Sequence, residues 1–497
     1  MSPQAAALLA SRLDEAARRR GAAIRTRSRA GWAELGWAEL AAAASSARRA
    51  ISDLDGVSRP LPDGRPGREG APLVVAIDNS PECAATLLGA AIAGVDFLLA
   101  EAGSSLLSDH PLFGGGRPRV LVGPGPSAAG HRTYRELIAA GGQRGSARPA
   151  ASVIHQFTSG STGEPRVARV PLRAVTTGAE LYRTRFGLTP ADTVVAAVPL
   201  AHSFGFTGGL AAAVMAGSRL VTHTTFSVKG LLEGLAGGAT VLLATPFVYA
   251  LIASLSVPPG HLRLALSSGG PLSDQVAGAA AARLGCPVLP VYGSTETGVI
   301  AAGQAGAERG TAFVPGVSWR LEPPSPELGA PPGSGHLFVR TPTMFTGYLG
   351  PQTPAFGPDG FYDTGDLVRV DDRGNVSVVA RKSSFINVGG RKVNPARLER
   401  IIGGVPGVTD IAVVGTPAGD FGEYIHAVAA AASPVTASAI LDFCRARLSP
   451  HEVPHHVHLV DALPRTSMGK LDRLSLIRTV RDQRTGTEGG PRKGDVP

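Results

Sequence analysis

The feature that most constrains this chain is a series of short, largely apolar segments, the last three of them ending on glycine or hydroxyl residues. Val74-Val-Ala-Ile-Asp78 and Val120-Leu-Val122 come first. They are followed by 193–201 (TVVAAVPLA), 219–223 (RLVTH), 240–245 (TVLLAT), 262–270 (LRLALSSGG) and 288–298 (VLPVYGSTETG). Runs this short, largely apolar and bounded by turn signals, suit strands covered on both faces, as in parallel sheets. Small-residue stretches of helical length separate them, one opening at Glu82 and another filling 208–217. The rhythm is that of α/β sheets, in which ligands sit outside the carboxyl ends of strands.

A chain of 497 residues exceeds one ordinary core, so two or more domains are expected. The pattern changes after about residue 310, where proline-rich segments, GHLFVR and LVRVDDRGNVSVVAR (367–381) read as small antiparallel hairpins. A compact α+β unit follows from about residue 384. It has a strand at INV (386–388), a helix at Pro395–Ile402, strands at 409–415 and 425–432, and a helix at 436–448. The tail 481–497 has few apolar residues and is expected to be disordered. The first twenty residues, turning acidic after a very short apolar run, read as an amphipathic helix and not as a signal peptide. WAELGWAEL (32–40) is a tandem echo, far too short for a structural repeat.

Composition excludes several classes. The longest apolar stretch, 83–100, contains Asp96 and two glycines, so it reads as a buried helix leading into a strand and not as a membrane span. The net charge of +9 rests on scattered arginines, without the basic run interleaved with aromatics that a single-strand binder needs. No nucleic-acid partner is expected. Cys83, Cys286 and Cys444 are too far apart for a disulfide framework or a metal knuckle. The expectation is a soluble cytoplasmic protein, its oligomeric state left open.

Six motifs carry the chemistry, and their order matters more than any one of them. FTSGSTGEPR (157–166) is a hydroxyl- and glycine-rich loop of the kind that cradles phosphates. It is not a Walker loop, because Glu164 and not lysine follows Gly163. SSGGPL (267–272), VYGSTETG (291–298), YDTGDL (362–367), RKSSFINVGGRKVNPARLE (381–399) and PRTSMGK (464–470) follow. Together they resemble the adenylate-forming ligase superfamily of acyl-CoA synthetases, luciferases and stand-alone adenylation enzymes, over nearly the whole chain. The resemblance implies a large N-terminal AMP-binding domain over 1–380, made of doubly wound sheets plus a small β-barrel. It further implies a hinge at 381–384 and a small mobile α+β C-terminal domain over 385–480.

Such enzymes convert a carboxylate and ATP into an acyl-adenylate, whose leaving group is AMP. That step brings two anions together, so it needs cations and hydrogen-bond donors where charge develops, and Mg²⁺ to neutralise the departing pyrophosphate. By resemblance, Thr158, Ser159, Gly160, Ser161, Thr162 and Gly163 fold over the β- and γ-phosphates. Arg166 stands where lysine is common, keeping the charge but changing its geometry. Gly269 and Gly270 let adenine approach the backbone, and Tyr292 stacks on it, with Gly293 and Ser294 in the same nucleotide motif. Thr295 bonds the α-phosphate, and Glu296 carries Mg²⁺, the competing reading being that it caps a following helix. Asp366 accepts from the ribose hydroxyls with support from Arg381, and Lys470 bridges the substrate carboxylate and the α-phosphate. His202 lies beside the acyl pocket as a gate or, alternatively, as a packed core histidine.

Ser383-Ser384 stand where family members often carry Asp-Asp, the first being the hinge residue. After rotation Gly389 and Gly390 would leave a channel for a pantetheine arm. HEVPHHVHLV (451–460) reads as a polar-faced strand and not as a metal cluster. The implied function is an ATP-dependent carboxylic acid:CoA ligase. Transfer to a carrier-protein phosphopantetheine arm or to an amine in secondary metabolism remains open. So does an inactive nucleotide-binding regulator, although retention of Glu296, Asp366, Arg381 and Lys470 argues against it. The pocket segments 202–209, 267–270 and 292–299 offer no unpaired acidic residue for an ammonium group, so an aromatic or fatty acyl tail is expected.

Overall fold

The computed structural model describes residues 4–485 except 56, 58–70, 103, 105–120, 126–130, 142–151, 159–165, 258–259, 304–309, 325–329, 351–354, 382–384, 389–390, 419–422, 433–434 and 467–468. The chain divides into two compact units. The first comprises Met1–Arg320, Phe338–Asp363 and Asp372–Val376; the second comprises Leu321–Leu337, Thr364–Asp371 and Ser377–Pro497.

Two sheets build the first unit. The six-stranded sheet runs in the order His131–Thr133, Leu121–Gly123, Leu73–Ile77, Asp96–Glu101, Val153–Thr158 and Arg166–Pro171. Its strands are parallel except the last, which returns antiparallel beside Val153–Thr158. The nine-stranded sheet has a parallel centre: Val288–Ser294, Leu264–Ser267, Val241–Ala244, Thr193–Ala196, Arg219–His223 and Ala22–Ser28. Antiparallel strands close both ends, Gly31–Gly36 on one side, Gly298–Gly303 and Thr311–Phe313 on the other. The apolar runs at 74–78, 193–201, 219–223, 240–245, 262–270 and 288–298 thus become strands. Leu73–Ile77, Thr193–Ala196, Val241–Ala244 and Leu264–Ser267 are buried throughout.

Helices follow the same logic. Pro81–Ala91 starts where Ser80 Oγ accepts the Cys83 N–H at 3.1 Å, with Pro81 fixing the first turn. Almost every residue in it is buried, as expected of a helix that is apolar all round. A Cβ on Gly89 would come within 2.8 Å of the Ala44 carbonyl, so glycine there permits close packing against the helix Trp37–Ser52. The expected amphipathic first helix is Gln4–Ala17, burying Leu9, Leu13 and Ala16. Asn79, held at φ 62°, ties the sheets together. Its side chain donates to the His223 carbonyl at 2.9 Å and accepts from Leu200 N at 2.8 Å. Its own carbonyl accepts from Thr26 and Thr222.

The β-rich segment read as a small barrel is a four-stranded sheet, ordered Ser318–Glu322, Ser334–Arg340, Tyr362–Val370, Val376–Arg381. In the second unit, Val408–Pro417, Glu423–Ala431 and His456–Val460 form a three-stranded sheet. Pro395–Ile402 and Ala437–Arg445 cover one face through Leu398, Ile402, Ile440 and Cys444, and Leu476 and Val480 cover the other. The final helix, Arg473–Thr485, corrects the reading of the tail. Residues 481–485 continue a helix whose Leu476 and Val480 are anchored in that core, and 486–497 lie outside the described residues. The histidine-rich run is a strand: His426 Nδ1 lies 3.0 Å from His458 Nε2, and His426 Nε2 lies 2.8 Å from Thr416 Oγ1. Among the described residues no cluster of metal-binding side chains occurs, and no helix is long and apolar enough to cross a membrane.

Candidate active site

The residues singled out in the first unit gather after the carboxyl ends of parallel strands, where ligands of such sheets bind. Val153–Thr158 ends on Thr158, which pairs antiparallel with Arg166. Thr158 is 6% exposed, and its Oγ1 has no hydrogen-bond partner among the described residues. Ser159, Gly160, Ser161, Thr162 and Gly163 lie outside the described residues. Leu264–Ser267 leads into Gly269, at φ +93°, and Gly270, where a Cβ would meet only Pro246 Cγ at 3.8 Å. The backbone there is open to close approach by a flat group.

Val288–Ser294 leads into the turn Thr295-Glu296-Thr297. A hairpin to Gly298–Gly303 follows in place of a helix, which removes the helix-cap reading of Glu296. The hairpin explains two residues of the motif independently of any ligand. A Cβ on Gly293 would overlap the Gly298 carbonyl, and Ser294 is engaged with Thr297 through both N–H (3.1 Å) and hydroxyl (3.2 Å). Tyr292 and Thr295 are half-buried.

Glu296 is 7% exposed, and its carboxylate Oε1 accepts the Tyr348 hydroxyl at 3.0 Å. Tyr348 lies 3.1 Å from the Tyr362 hydroxyl, and its ring carries the Arg166 guanidinium 4.0 Å above its centre. Burial, and after it the Glu296 charge, push the Tyr348 phenol well above its usual range, so it remains a protonated donor. The motifs at 157–166 and 291–298 therefore meet on one tyrosine that neither contains. A lone buried carboxylate in an oxygen-rich turn suits Mg²⁺, which commonly takes one or two protein carboxylates and fills its other positions with phosphate oxygens and water.

Thr193–Ala196 leads through Pro199 to His202 and a π-helical stretch, Phe204–Ala211, continued by Ala212–Ala216. Such irregular turns are frequent at functional sites. Here Gly205 lets the turn close on the Pro199 carbonyl, which a Cβ would overlap. His202 is no packed core residue. Its ring is 36% exposed, and Nε2 donates to Glu101 Oε1 at 2.8 Å, while the next residue, Ser203, donates to Gln156 Oε1 at 2.5 Å. Glu101 escaped the sequence reading because it stands 101 positions from its partner. The only signal was a strand ending on an acid.

Three expected residues among those described fall in the second unit. Asp366 is 3% exposed and accepts Arg381 Nε at 2.7 Å, with its N–H donating to Thr364 Oγ1 at 3.1 Å. The TGD segment is thus a strand with a buried, arginine-held carboxylate and not a loose turn. Lys470 closes a tight turn in which its carbonyl accepts Thr466 N at 2.7 Å, and Gly469 at φ +69° permits the reversal. Ser383, Ser384, Gly389 and Gly390 lie outside the described residues.

Comparison with known proteins agrees with this layout. A sequence model of the AMP-binding enzyme family matches residues 124–349, and one of the family's C-terminal domain matches 397–470. The 2-succinylbenzoate–CoA ligase of Bacillus licheniformis is 30% identical over 330 residues, covering 64% of this chain and 68% of that protein. A feruloyl-CoA synthase of an Amycolatopsis species is 31% identical over 330 residues, covering 63% and 67%. The chain thus matches about two thirds of each relative's length. ATP-bound MatB from Rhodopseudomonas palustris has the same fold, with a TM-score of 0.78 and 24% identity over 96% of this chain and 99% of that one. The chain belongs to the AMP-binding family of adenylate-forming enzymes.

Proposed function

We propose that this protein is an ATP-dependent carboxylic acid:CoA ligase that activates its acid as an acyl-adenylate and passes the acyl group to a thiol. The observation carrying the reading is the buried Glu296 carboxylate, oriented by Tyr348 beside Arg166 at the ends of parallel strands. The relatives named as CoA ligases support the same chemistry. Glu296 would hold Mg²⁺, which when bound neutralises charge on the pyrophosphate as it leaves. Thr158 and Arg166, with the loop 159–163, hold the β- and γ-phosphates. Gly269, Gly270 and Tyr292–Ser294 receive the adenine, Thr295 contacts the α-phosphate, and Asp366 with Arg381 takes the ribose hydroxyls. Lys470 would bridge the substrate carboxylate and the α-phosphate, offsetting the repulsion between the two anions as the bond forms. Residues 1–380 act as the AMP-binding portion, 381–384 as the hinge and 385–480 as the lysine-bearing domain, whose Gly389 and Gly390 would leave room for a pantetheine arm.

The acid is aromatic or fatty. Glu101 stands beside His202, but its carboxylate is engaged by the imidazole and is not left to hold an ammonium group. Pyrophosphate release from ATP with a panel of acids, CoA and simple amines offered in parallel, tests the proposal. Thioester formation with aromatic or fatty acids is expected. A strong preference for an α-amino acid, or an amide as the sole product, would overturn it. Lys470→Ala is expected to abolish pyrophosphate release while leaving nucleotide binding measurable.

A further inference from the structure

One segment physically joins the two phosphate-facing motifs. At its start, Thr341 Oγ1 and Thr343 Oγ1 donate to the Thr297 carbonyl at 2.6 and 2.8 Å, and Phe345 N donates to the Glu296 carbonyl at 2.9 Å. A Cβ on Gly298 would overlap Thr343, so glycine there admits the clamp. At its end the segment adds to the strand that leaves the glycine-rich loop. Thr346 N donates to the Arg169 carbonyl at 2.8 Å, Arg169 N to Gly347 O at 2.9 Å, and Leu349 N to Val167 O at 2.8 Å. Gly347, whose carbonyl is one of these acceptors, stands at φ +127°. Tyr348 projects from this strap with its hydroxyl on Glu296 and its ring under Arg166. Phe345 packs edge-on against it at 4.9 Å.

We infer that Tyr348 is a positioning residue that sets the metal-binding carboxylate of Glu296 and the phosphate-binding guanidinium of Arg166 in register with each other. The inference rests on the roles proposed above for those two residues. Because the Tyr348 hydroxyl donates to Oε1, it restrains the rotation of the carboxylate that would hold the cation. Tyr362 donates in turn to the Tyr348 oxygen, polarising the donor. The ring meanwhile holds Arg166 by cation–π contact, keeping a long side chain from sampling rotamers away from the phosphates. One tyrosine thus contacts both groups, the carboxylate through its hydroxyl and the guanidinium through its ring.

The test separates hydroxyl from ring. Tyr348→Phe keeps the ring on Arg166; Tyr348→Leu removes both contacts. Affinity of the enzyme–ATP complex for Mn²⁺, read from the free-ion EPR signal, should fall roughly tenfold in Tyr348→Phe, the scale of one hydrogen bond to a charged group. ATP binding in EDTA should be unchanged in Tyr348→Phe and weaker by roughly threefold to tenfold in Tyr348→Leu, the scale of one cation–π contact. Tyr362→Phe, which removes only the supporting hydroxyl, should weaken Mn²⁺ by less than Tyr348→Phe, giving a second reading should that variant fold poorly. In a cycle with Glu296→Gln the two losses should be non-additive. Unchanged Mn²⁺ affinity in Tyr348→Phe with a clear loss in Glu296→Gln, or additive losses, overturns the inference alone. Unchanged Mn²⁺ affinity in Glu296→Gln overturns instead the metal role assigned to that carboxylate.

Discussion

Asp192→Asn should destabilise the first unit while leaving its chemistry intact, because Asp192 knots together the strand ends remote from the candidate site. Its side chain is 4% exposed and accepts Arg263 Nε and Nη2 at 2.8 Å each, Thr240 Oγ1 at 2.7 Å and Thr189 N at 2.8 Å. Burial alone would raise the carboxyl, but the bonds from Arg263, Thr240 and Thr189 and the Arg263 charge outweigh it and hold the pKa at about 2. Removing one partner of a buried pair costs about 3–5 kcal/mol. Arg263 is 42% exposed and partly rehydrated in the variant, so about 3 kcal/mol is the expectation at neutral pH.

The pH dependence has a definite sign. The folded value of about 2 lies below the ordinary 3.8, so the stabilisation is full above the unfolded value and is lost as pH falls toward the folded one. A depression of about 1.8 units corresponds to about 2.4 kcal/mol, of which about 1 kcal/mol disappears between about pH 5 and pH 3. All three tryptophans, Trp32, Trp37 and Trp319, lie in the first unit, so urea unfolding followed by their fluorescence reports on it selectively. The gap between wild type and Asp192→Asn should narrow over that pH range. A gap below about 1 kcal/mol at neutral pH, far under the cost of a broken buried pair, or one that widens on acidification, would refute the reasoning.

Two further outcomes follow from the geometry. Asn79→Ala leaves Leu200 N and the His223 carbonyl without their partner and places alanine at φ 62°, costing about 3 kcal/mol in urea unfolding. Asn79→Gly should be more stable than alanine by about 1 kcal/mol, since glycine accepts that backbone; equal stabilities would contradict the strain. Glu101→Gln should slow thioester formation roughly tenfold while isotope exchange between ATP and pyrophosphate stays within about twofold, if Glu101 orients His202 only for the second half-reaction. Equal losses in both half-reactions would remove the gating role.

The parts of the fold legible in the sequence were those whose signal is local. A run of four or five apolar residues bounded by turn signals is too short for a helix and suits a covered strand, so Leu73–Ile77 and Val241–Ala244 could be read directly. The motif glycines were legible too, although the structure gives Gly293 a packing reason that holds without nucleotide. Tyr348 and Glu101 were not legible. Tyr348 lies in a proline-rich stretch with no periodicity, 52 positions from Glu296, and only the strap's anchorage brings their side chains together. The five residues at the start of the tail were misread because composition cannot show that a neighbouring turn of helix is held in a core.

The tetrapeptide Trp-Ala-Glu-Leu, present twice, shows where the division falls. Trp32–Leu35 is strand, with Leu35 opposite Ile24 in the ladder and Trp32 under the Arg25 guanidinium at 4.3 Å. Trp37–Leu40 is the first turn of a helix, with Trp37 and Leu40 buried and Glu39 reaching back to the Gly36 N–H at 2.7 Å. By itself the sequence determined that both copies have an apolar side to bury, that Gly36 separates them, and that the chain carries the ordered motifs of an adenylate-forming enzyme. Only the tertiary structure decided that the first copy would find a sheet edge and the second a helical surface. Backbone hydrogen bonds can be satisfied either way, and the apolar surface available at each position selects between them.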